Sequence, residues 1–434
     1  MSPFSADIVR RLGGPPWLAE RRSAAFERFG TTALPTTEEE VWRYSRIPEL
    51  DLDDHQPVEP GAALATGGVP EGVAPLVEAV GQPAAVVVVR NGTVSHVEVD
   101  DGAARAGLRV GSLATLDGGD GQAGGALGSV AGRAKDAFGL LHDAFVADPV
   151  LVEVPAGVAL SAPVVVLHWT DLDGVATFPR LVVRAGGGSD VTVCDHQASA
   201  DVAALVVPVV ELDAGPAAQL RYLNVQTLGQ RVWQLGRQAS RVGRDATFST
   251  TMVALGGDYA RLSIDSTMVG KGGSGNMLAL YFGERSQMHD FRTLQDHLAP
   301  TTTSNLLFKG AVQGRARSVY TGLIHIGKEA PRVDAFQTNR NIKLSAGAWA
   351  ESVPNLEIEN NDVRCSHASA VGPVDEDQRF YLESRGVPPK VAERLIVTGF
   401  FEEVLERLPV PGVAAPLRAE IAAKLGRREE QDGG

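Results

Sequence analysis

The middle of the chain alternates apolar and polar residues in short runs, and glycines interrupt this alternation at nearly regular intervals. Five of the six intervals between these glycines are 28 to 33 residues long, and the remaining interval, from Gly272 to Gly314, is 42. The glycines lie at Gly157, Gly187, Gly215, Gly243, Gly272, Gly314 and Gly347. Alternation with a period of two indicates strands, and a constant spacing of this size is typical of stacked repeats. The pattern therefore predicts a β-solenoid with a glycine at each corner, and the long interval fits one extra coil.

A β-sandwich is the alternative fold, because it also consists of short strands separated by glycine-containing turns. A sandwich does not require the turns to recur at a fixed spacing, whereas a solenoid does. The near-constant interval between the glycines therefore favours the solenoid.

Helical patterns on either side of this region divide the chain into three parts. Residues 1–149 are predicted to form an N-terminal helical region with a small hairpin at Asn91-Gly92 and loose segments rich in glycine, alanine and proline. Residues 150–370 form the predicted β-solenoid core. Residues 371–434 are predicted to be helical and to end in a disordered tail, "GRREEQDGG".

Charge, hydropathy and cysteine content exclude several classes of function. Forty basic against 53 acidic side chains give a net charge of −13, so a general nucleic-acid-binding surface is not expected. No apolar run is long enough for a membrane span, and the N-terminus has no signal-peptide core. Two cysteines rule out a disulfide framework and are typical of a protein of the reducing cytoplasm. No phosphate-binding loop, dinucleotide fingerprint or nucleophile elbow is present.

The stretch "NDVRCSHASAVG" combines two soft metal ligands, Cys365 and His367, at the end of the predicted last coil. Residues two apart on a strand share a face, so Cys365, His367 and Val363 point the same way. A Cys-x-His pair on a strand belongs to a core more often than to a metal site. At the last coil, however, such side chains face the C-terminal helices or another chain.

Other cysteine and histidine residues are weaker candidates for metal ligands. Cys194 is interpreted as a structural residue, because its neighbours Asp195 and His196 cannot all share its face of a strand. His289 and His297 flank two carboxylates, but they do not have metal-ligand spacing within one element.

The C-terminal segment "PPKVAERLIVTGFFEEVLERL" predicts a helix whose apolar positions are spread wider than packing on one neighbour requires. Two interpretations remain open at this point: part of the helix binds a partner, or the helix simply caps the solenoid. The candidate partner-binding residues are Val391, Leu395, Ile396, Phe400, Phe401 and Val404.

Four stretches, "PTTTSNLLFKG", "DAFQTNRNIKLS", "PNLEIENNDVRCSHASAVGPVDEDQRFYLESRG" and "VAERLIVTGFFEEVLERL", resemble the SufB/SufD family of iron–sulfur cluster assembly proteins, and within it SufD. The similarity runs almost continuously from about residue 285 to 408. It implies a right-handed parallel β-helix core, flanked by N-terminal and C-terminal α-helical regions, that pairs with a SufB-like subunit. The resemblance also implies that an ABC-type ATPase, SufC, docks on the C-terminal helices.

The resemblance implies a non-catalytic scaffold, with ATP hydrolysis supplied by SufC. The cluster-ligand candidates of the family fall on His367 and Cys365, which would share a transient iron–sulfur cluster with SufB. Two cysteines cannot hold such a cluster alone, because it requires about four ligands. The family also associates a flavin with the assembled complex, but no residue here indicates its site.

Two rival functions are compatible with a solenoid. A carbohydrate-acting enzyme would need converging carboxylates on one face, and the sequence shows no such repeated pair. A purely structural solenoid would organise partners without holding a cluster. An isolated chain with an exposed strand edge is also compatible with a homodimer.

Overall fold

A computed structural model describes residues 3–59, 61, 68–117, 124–134 and 136–432. The α-helices are α1 (Ala6–Arg11), α2 (Pro16–Phe29), α3 (Ala74–Val80), α4 (Asp101–Arg105), α5 (Leu113–Leu116), α6 (Ala137–Phe145), α7 (Glu376–Ser384), α8 (Pro389–Leu405) and α9 (Ala414–Asp432). Single 3₁₀ turns lie at Glu40–Trp42, Ile47–Glu49, Leu52–Asp54, Glu71–Val73, Gly124–Ala126 and Pro411–Val413. Within the described ranges, no helix is both long and apolar enough to cross a bilayer.

The strands dominate the chain from residue 150 onward. They are β1 (Gln56–Pro57), β2 (Ala85–Arg90), β3 (Thr93–Val99), β4 (Arg109–Ser112), β5 (Val150–Val154), β6 (Val164–Thr170), β7 (Val175–Thr177), β8 (Arg180–Ala185), β9 (Asp190–Ser199), β10 (Ala204–Val206), β11 (Val209–Ala214), β12 (Gln219–Thr227), β13 (Val232–Val242), β14 (Thr247–Ala254), β15 (Tyr259–Met268), β16 (Ser274–Gly283), β17 (Met288–His297), β18 (Thr303–Val312), β19 (Arg317–Ile326), β20 (Asp334–Lys343), β21 (Trp349–Ile358) and β22 (Arg364–Gly372).

Two long sheets form a parallel β-solenoid, as the spacing of the glycines predicts. Sheet A has the order β21-β19-β17-β15-β13-β11-β8-β5-β4, and sheet B has the order β22-β20-β18-β16-β14-β12-β9-β6-β2-β3. In the described chain, eight strands of each sheet, from β5 to β21 and from β6 to β22, stack in sequence order. Each coil therefore contributes one strand to sheet A and the next strand to sheet B.

The corners that lead from sheet A to sheet B hold a column of residues with positive φ. Successive members are 27 to 31 residues apart, and several are not glycine. The column comprises Gly157, Gly188, Ala217, Asp245, Gly272, Thr301 and Arg332. The interval of 42 residues does not contain an extra coil, so that expectation is wrong. Gly314 and Gly347 lie at the opposite corner, where the chain passes from sheet B to sheet A, and 42 residues correspond to one and a half coils.

The N-terminal end of the solenoid is covered by extra strands. β2 and β3 form a hairpin around Asn91 and Gly92, both of which have positive φ. β2 pairs in parallel with β6, so this hairpin extends sheet B beyond the first coil. β4 pairs antiparallel with β5 and extends sheet A in the same direction.

The first two helices and α6 of the N-terminal region lie on one outer face of the solenoid, and the C-terminal helices lie on the opposite face together with α3. N-terminal residues such as Leu18, Trp42 and Phe138 share one apolar cluster with Val182 and Tyr259 of sheet A. A second cluster joins α8 and α9 to the outer face of sheet B, through Phe401, Val404 and Leu417 on the helices and Leu223 and Leu280 on the strands. α9 continues to Asp432, so the segment whose composition predicts disorder is helical up to that residue.

A buried ionic cluster fixes α9 on the solenoid. Lys424 and Glu284 are 2% and 4% exposed, and Lys424 Nζ lies 3.2 Å from Glu284 Oε1. Lys424 Nζ also donates to Gln287 Oε1 at 3.0 Å, and Arg427 Nη2 donates to Glu284 Oε1 at 2.8 Å. Burial lowers the pKa of Lys424 to about 8. Burial alone would raise the pKa of Glu284, but the bonds from Arg427 and the charge of Lys424 lower it overall.

Two histidines inside the solenoid make the stability of the fold depend on pH. His289 Nε2 donates a hydrogen bond to the Gly256 carbonyl at 3.1 Å, and His297 contacts Thr302 and Ser304 through its two ring nitrogens. Burial disfavours the charged imidazolium and lowers the pKa of each ring from 6.5 to about 4. Between these pH values the unfolded chain binds more protons than the folded chain, so stability is lost as pH falls.

We expect the free energy of unfolding to fall between pH 6.5 and pH 4 by about 1–3 kcal/mol for each buried histidine. The variant His289→Gln should lose part of this pH dependence, because glutamine does not titrate there. Urea unfolding at pH 7 and pH 5 measures the difference. His96→Gln, on the outer hairpin strand β3, is the control and should keep the wild-type pH dependence. An unchanged dependence in His289→Gln would contradict the assignment.

Candidate functional site at the open end of the solenoid

The last coil of the solenoid ends in two strands that each have one neighbour. β21 pairs only with β19, and β22 pairs only with β20, among the strands of the described chain. We call this last coil, β21 and β22, the open end. Each of its strands presents one edge of backbone N–H and C=O groups that a further strand can pair with. The N-terminal end differs, because the β2–β3 hairpin and β4 cover it.

Apolar side chains that point into the solenoid are uncovered at the open end. Ser352 and Ser369 define the inward direction, because their Oγ atoms lie 2.7 Å apart across the two sheets. Leu356 and Ile358 share the face of Ser352, and Val371 shares the face of Ser369. These three side chains are 37%, 45% and 41% exposed. They lack the covering coil that buries the equivalent positions elsewhere, so this surface is suited to contact with another chain.

Cys365 and His367 lie on this same inward face of β22, as their spacing predicts. Cys365 and Val363 pack against an apolar cluster that contains Ile324 and Ile326, and the cysteine is half-buried. Burial raises the pKa of the Cys365 thiol, which disfavours the thiolate that binds metal. His367 is exposed and forms no hydrogen bond or ion pair with the described residues. Its imidazole is therefore free to bind a metal.

A row of buried polar side chains lies next to His367 and is not apparent from the sequence. Gln337 on β20 is the register partner of His367. Its Oε1 accepts a hydrogen bond from Tyr320 Oη at 3.0 Å, and its Nε2 donates to the Asn355 carbonyl at 3.3 Å. Tyr320 Oη also lies 3.1 Å from Thr293 Oγ1. This row holds Gln337 in one orientation and gives the strand beside His367 a rigid side-chain support.

The six candidate partner-binding residues of α8 do not share one environment. Phe401 and Val404 are fully buried, and the Phe401 ring lies 6.0 Å from the ring of Phe282 on sheet B. Leu395 is 51% exposed. Val391, Ile396 and Phe400 are half-buried. α8 therefore packs on sheet B with one side and exposes an apolar ridge on the other, and partner binding by this ridge stays a prediction.

Helix α7 adds exposed aromatic residues that the sequence analysis did not identify. Phe380 and Tyr381 are 72% and 55% exposed. Tyr381 and Leu382 line a groove of about 420 Å³ together with Ile396 of α8. The consecutive residues Phe380 and Tyr381 in a short polar helix could have indicated this exposure. Consecutive side chains point in different directions from a helix, so one buried face cannot cover both.

The remaining candidate residues have structural environments. Cys194 is fully buried on the outer face of sheet B in the same cluster as Leu223 and Leu280, and burial raises the pKa of its thiol to about 12. His289 and His297 are buried and bonded inside the solenoid.

Among the described residues, the buried carboxylates Asp195, inside the solenoid, and Asp290, on the outer face of sheet A under the N-terminal segment, do not form an accessible pair of the kind a glycosidase needs. Asp195 and Asp290 are both fully buried. Asp195 accepts a hydrogen bond from Tyr222, and Asp290 accepts from Tyr259, Arg261 and Arg292. These partners hold both carboxylates away from solvent and substrate.

These features define a parallel β-solenoid protein with helices on both outer faces and an uncovered last coil that carries an unpartnered imidazole. A family model described as "SUF system FeS cluster assembly, SufBD core domain" matches residues 168–400. The chain belongs to the SufBD family of iron–sulfur cluster assembly proteins.

Individual relatives agree with this assignment. The chain is 37% identical over 280 residues to an iron–sulfur cluster assembly SufBD family protein of Mycobacterium tuberculosis, covering 62% of this chain and 68% of the relative. It is 30% identical to a SufBD family protein of Mycobacterium leprae over 95% of this chain and 96% of the relative. It is 29% identical to the iron–sulfur cluster assembly protein SufD of Bacillus subtilis, covering 66% of each chain. Within the family, the chain is therefore SufD-like.

Proposed function

We propose that this chain is a non-catalytic scaffold subunit of an iron–sulfur cluster assembly complex. In this proposal the open end pairs with a SufB-like subunit, and the C-terminal helices dock an ABC-type ATPase of the SufC kind that supplies all ATP hydrolysis. The complex works in the cytoplasm, in keeping with the two free cysteines.

The open end is the observation that carries the proposal. It combines two unpaired strand edges with three exposed apolar side chains, Leu356, Ile358 and Val371. The terminal repeats of a stacked-repeat protein are normally capped. Extra strands cover the N-terminal end of this solenoid, whereas no strand covers the open end in the described chain. A second solenoid could extend both sheets by pairing strand edges and could cover the apolar side chains at the same time.

His367 is placed in this proposed interface as a cluster ligand. An imidazole from this chain and thiolates from the SufB-like subunit would together approach the four ligands that an iron–sulfur cluster requires. Cys365 is the weaker ligand candidate, because it packs against an apolar cluster and the pKa of its thiol is raised. The cluster is the cargo of the complex in this proposal and is shared only transiently. The flavin associated with the family remains without an assigned site in this chain.

The exposed ridge of α7 and α8 is the proposed docking surface for the ATPase. Phe380, Tyr381 and Leu395 are its exposed members, and Ile396 lines the groove beside them. Of these, Tyr381 lines the groove together with Ile396. Exposed aromatic side chains beside such a groove are typical of the anchors of a protein interface. Phe401 and Val404 support this surface from below, because they are buried against sheet B.

We expect Leu395→Asp to abolish co-purification with the ATPase while the pairing of the two solenoid subunits persists. A charge in the centre of an apolar contact costs about 2 kcal/mol or more, which corresponds to roughly a thirtyfold loss of affinity. Leu395 is half-exposed in this chain, so the variant should remain folded. Anaerobic co-expression of the three subunits, followed by affinity purification through this chain, measures both contacts.

Leu356→Asp at the open end is the matched substitution for the other contact. It should release the SufB-like subunit and leave ATPase binding intact, because Leu356 and Leu395 lie on different parts of the molecule. If Leu395→Asp keeps the ATPase, or if Leu356→Asp keeps the SufB-like subunit, the corresponding surface is misplaced.

The same purification distinguishes pairing with a SufB-like subunit from pairing with a second copy of this chain. The open end could also pair with a second copy of itself when no SufB-like subunit is present. A homodimer that dissociates when the SufB-like subunit is added supports the proposal. A homodimer that persists, with no second subunit bound, contradicts it and favours a purely structural solenoid.

A further inference from the structure

A group of metal-ligating side chains lies on the outer surface of sheet A, apart from the inward-facing His367. His325, Glu357 and Glu359 each place one ligand atom within 4.8 Å of the other two. His325 on β19 and Glu357 on β21 are register partners, so their side chains leave the sheet on the same face. Glu359 follows β21 directly, and its backbone N–H donates to the Ile326 carbonyl at 2.9 Å. The strand register therefore fixes the backbones of all three residues.

Asp296 on β17 holds the imidazole of His325 in one orientation. It is the register partner of His325, and its Oδ1 lies 2.7 Å from His325 Nδ1. When Nδ1 donates its proton to this carboxylate, Nε2 is the nitrogen that carries a lone pair. Histidine ligands of metal ions are typically oriented by a carboxylate at the opposite ring nitrogen, in this same arrangement.

The carboxylates of the group have no cation to balance them. Neither Glu357 nor Glu359 forms an ion pair with any described residue. Some other acidic residues on sheet A are paired along a column of the sheet, as Glu153 is with Arg109 and Arg184. Two glutamates therefore lie beside an imidazole that Asp296 orients, and the three ligand atoms converge on one point of the surface.

We propose that His325, Glu357 and Glu359 bind a divalent first-row transition-metal ion. One imidazole nitrogen and two carboxylate oxygens suit Zn²⁺, Fe²⁺, Co²⁺ or Mn²⁺ and disfavour Mg²⁺ and Ca²⁺, which prefer all-oxygen sites. Bonds of about 2.0–2.2 Å would bring the ligand atoms roughly 3.4 Å apart, which a small rotation of the exposed glutamates achieves. Three protein ligands leave further positions for water, so the ion is exchangeable. This inference does not depend on the proposed function.

Titration of the metal-free full-length chain with Co²⁺ tests the site. The visible absorption of Co²⁺ reports a four- or five-coordinate protein site, and competition with Zn²⁺ gives the affinity for zinc. We expect the double variant Glu357→Gln and Glu359→Gln to weaken binding by about tenfold or more. Glu351→Gln is the matched control, because Glu351 lies on the same face of β21 but six residues away from Glu357.

A second variant separates this site from the open end. His367→Ala should retain the Co²⁺ spectrum and affinity of the wild type, because His367 faces the interior of the last coil. Equal affinity in the double variant and in Glu351→Gln would overturn the proposal. Loss of the spectrum in His367→Ala would also overturn it, since the ion would then belong to the open end.

Discussion

Replacing His367 by alanine is expected to lower the iron and acid-labile sulfide of the co-purified complex by about tenfold or more. The imidazole is exposed on the inward face of β22 and has no partner within the described chain, so its removal takes away a ligand without disturbing packing. Loss of one of about four ligands leaves a coordination position to water and makes the cluster labile. Iron and sulfide are measured after anaerobic co-expression with the SufB-like subunit and the ATPase.

Two further variants make this result specific to His367. Ser366→Ala changes the adjacent residue, which points to the opposite face of β22, and should leave iron and sulfide unchanged. Cys365→Ala should have a smaller effect than His367→Ala, because the Cys365 thiol is half-buried with a raised pKa. If His367→Ala keeps wild-type iron while the complex still forms, His367 is not a ligand. That result would not contradict the proposed binding surfaces for the SufB-like subunit and the ATPase.

Replacing Glu284 by alanine is expected to destabilise the protein by about 3–5 kcal/mol. Glu284 is 4% exposed and accepts hydrogen bonds from Lys424 and Arg427 of α9. Its removal leaves the Lys424 ammonium buried without a counter-charge at the interface between α9 and the solenoid. Urea unfolding followed by circular dichroism measures the loss. Limited proteolysis should show earlier cleavage of α9.

Glu420→Ala is the control for this experiment, because Glu420 lies on α9 but pairs only at the surface, 3.3 Å from Arg427. Exposed pairs contribute about 0–1 kcal/mol, so this variant should unfold close to the wild type. The double variant Glu284→Gln and Lys424→Met should recover much of the lost stability, since it removes both buried charges. Equal stability of Glu284→Ala and Glu420→Ala would show that the buried cluster does not hold α9.

The solenoid could be predicted from the sequence, but its coils could not be counted correctly. The repeat places a residue with positive φ at each corner, and glycine is the residue type whose presence in a sequence indicates positive φ. At Ala217, Asp245, Thr301 and Arg332 the same positive φ is adopted by residues that give no such signal. The stacked backbone hydrogen bonds of the neighbouring coils impose the conformation there. The interval from Gly272 to Gly314 therefore joins two different corners, and the extra coil predicted there does not exist.

The candidate site was only partly predictable for a similar reason. A period of two placed Cys365 and His367 on one face, and that property is local. The separate environments of Leu395 and Phe401 on α8 depend on which side of the helix meets sheet B, and both sides are apolar in the sequence. The row from Thr293 through Tyr320 to Gln337 joins three strands that are distant in sequence. Contacts of this kind appear only when the coils are stacked.

The contact of α8 with the solenoid lies close to His367. Lys309 on β18 donates to the Phe400 carbonyl at 2.8 Å and pairs with Glu403, so α8 is tied to a specific strand of sheet B. Two strand spacings, roughly 10 Å, separate β18 from β22. A displacement of α8 would therefore act on sheet B only two strands away from His367. The backbone hydrogen bonds that join β18, β20 and β22 connect the two positions directly.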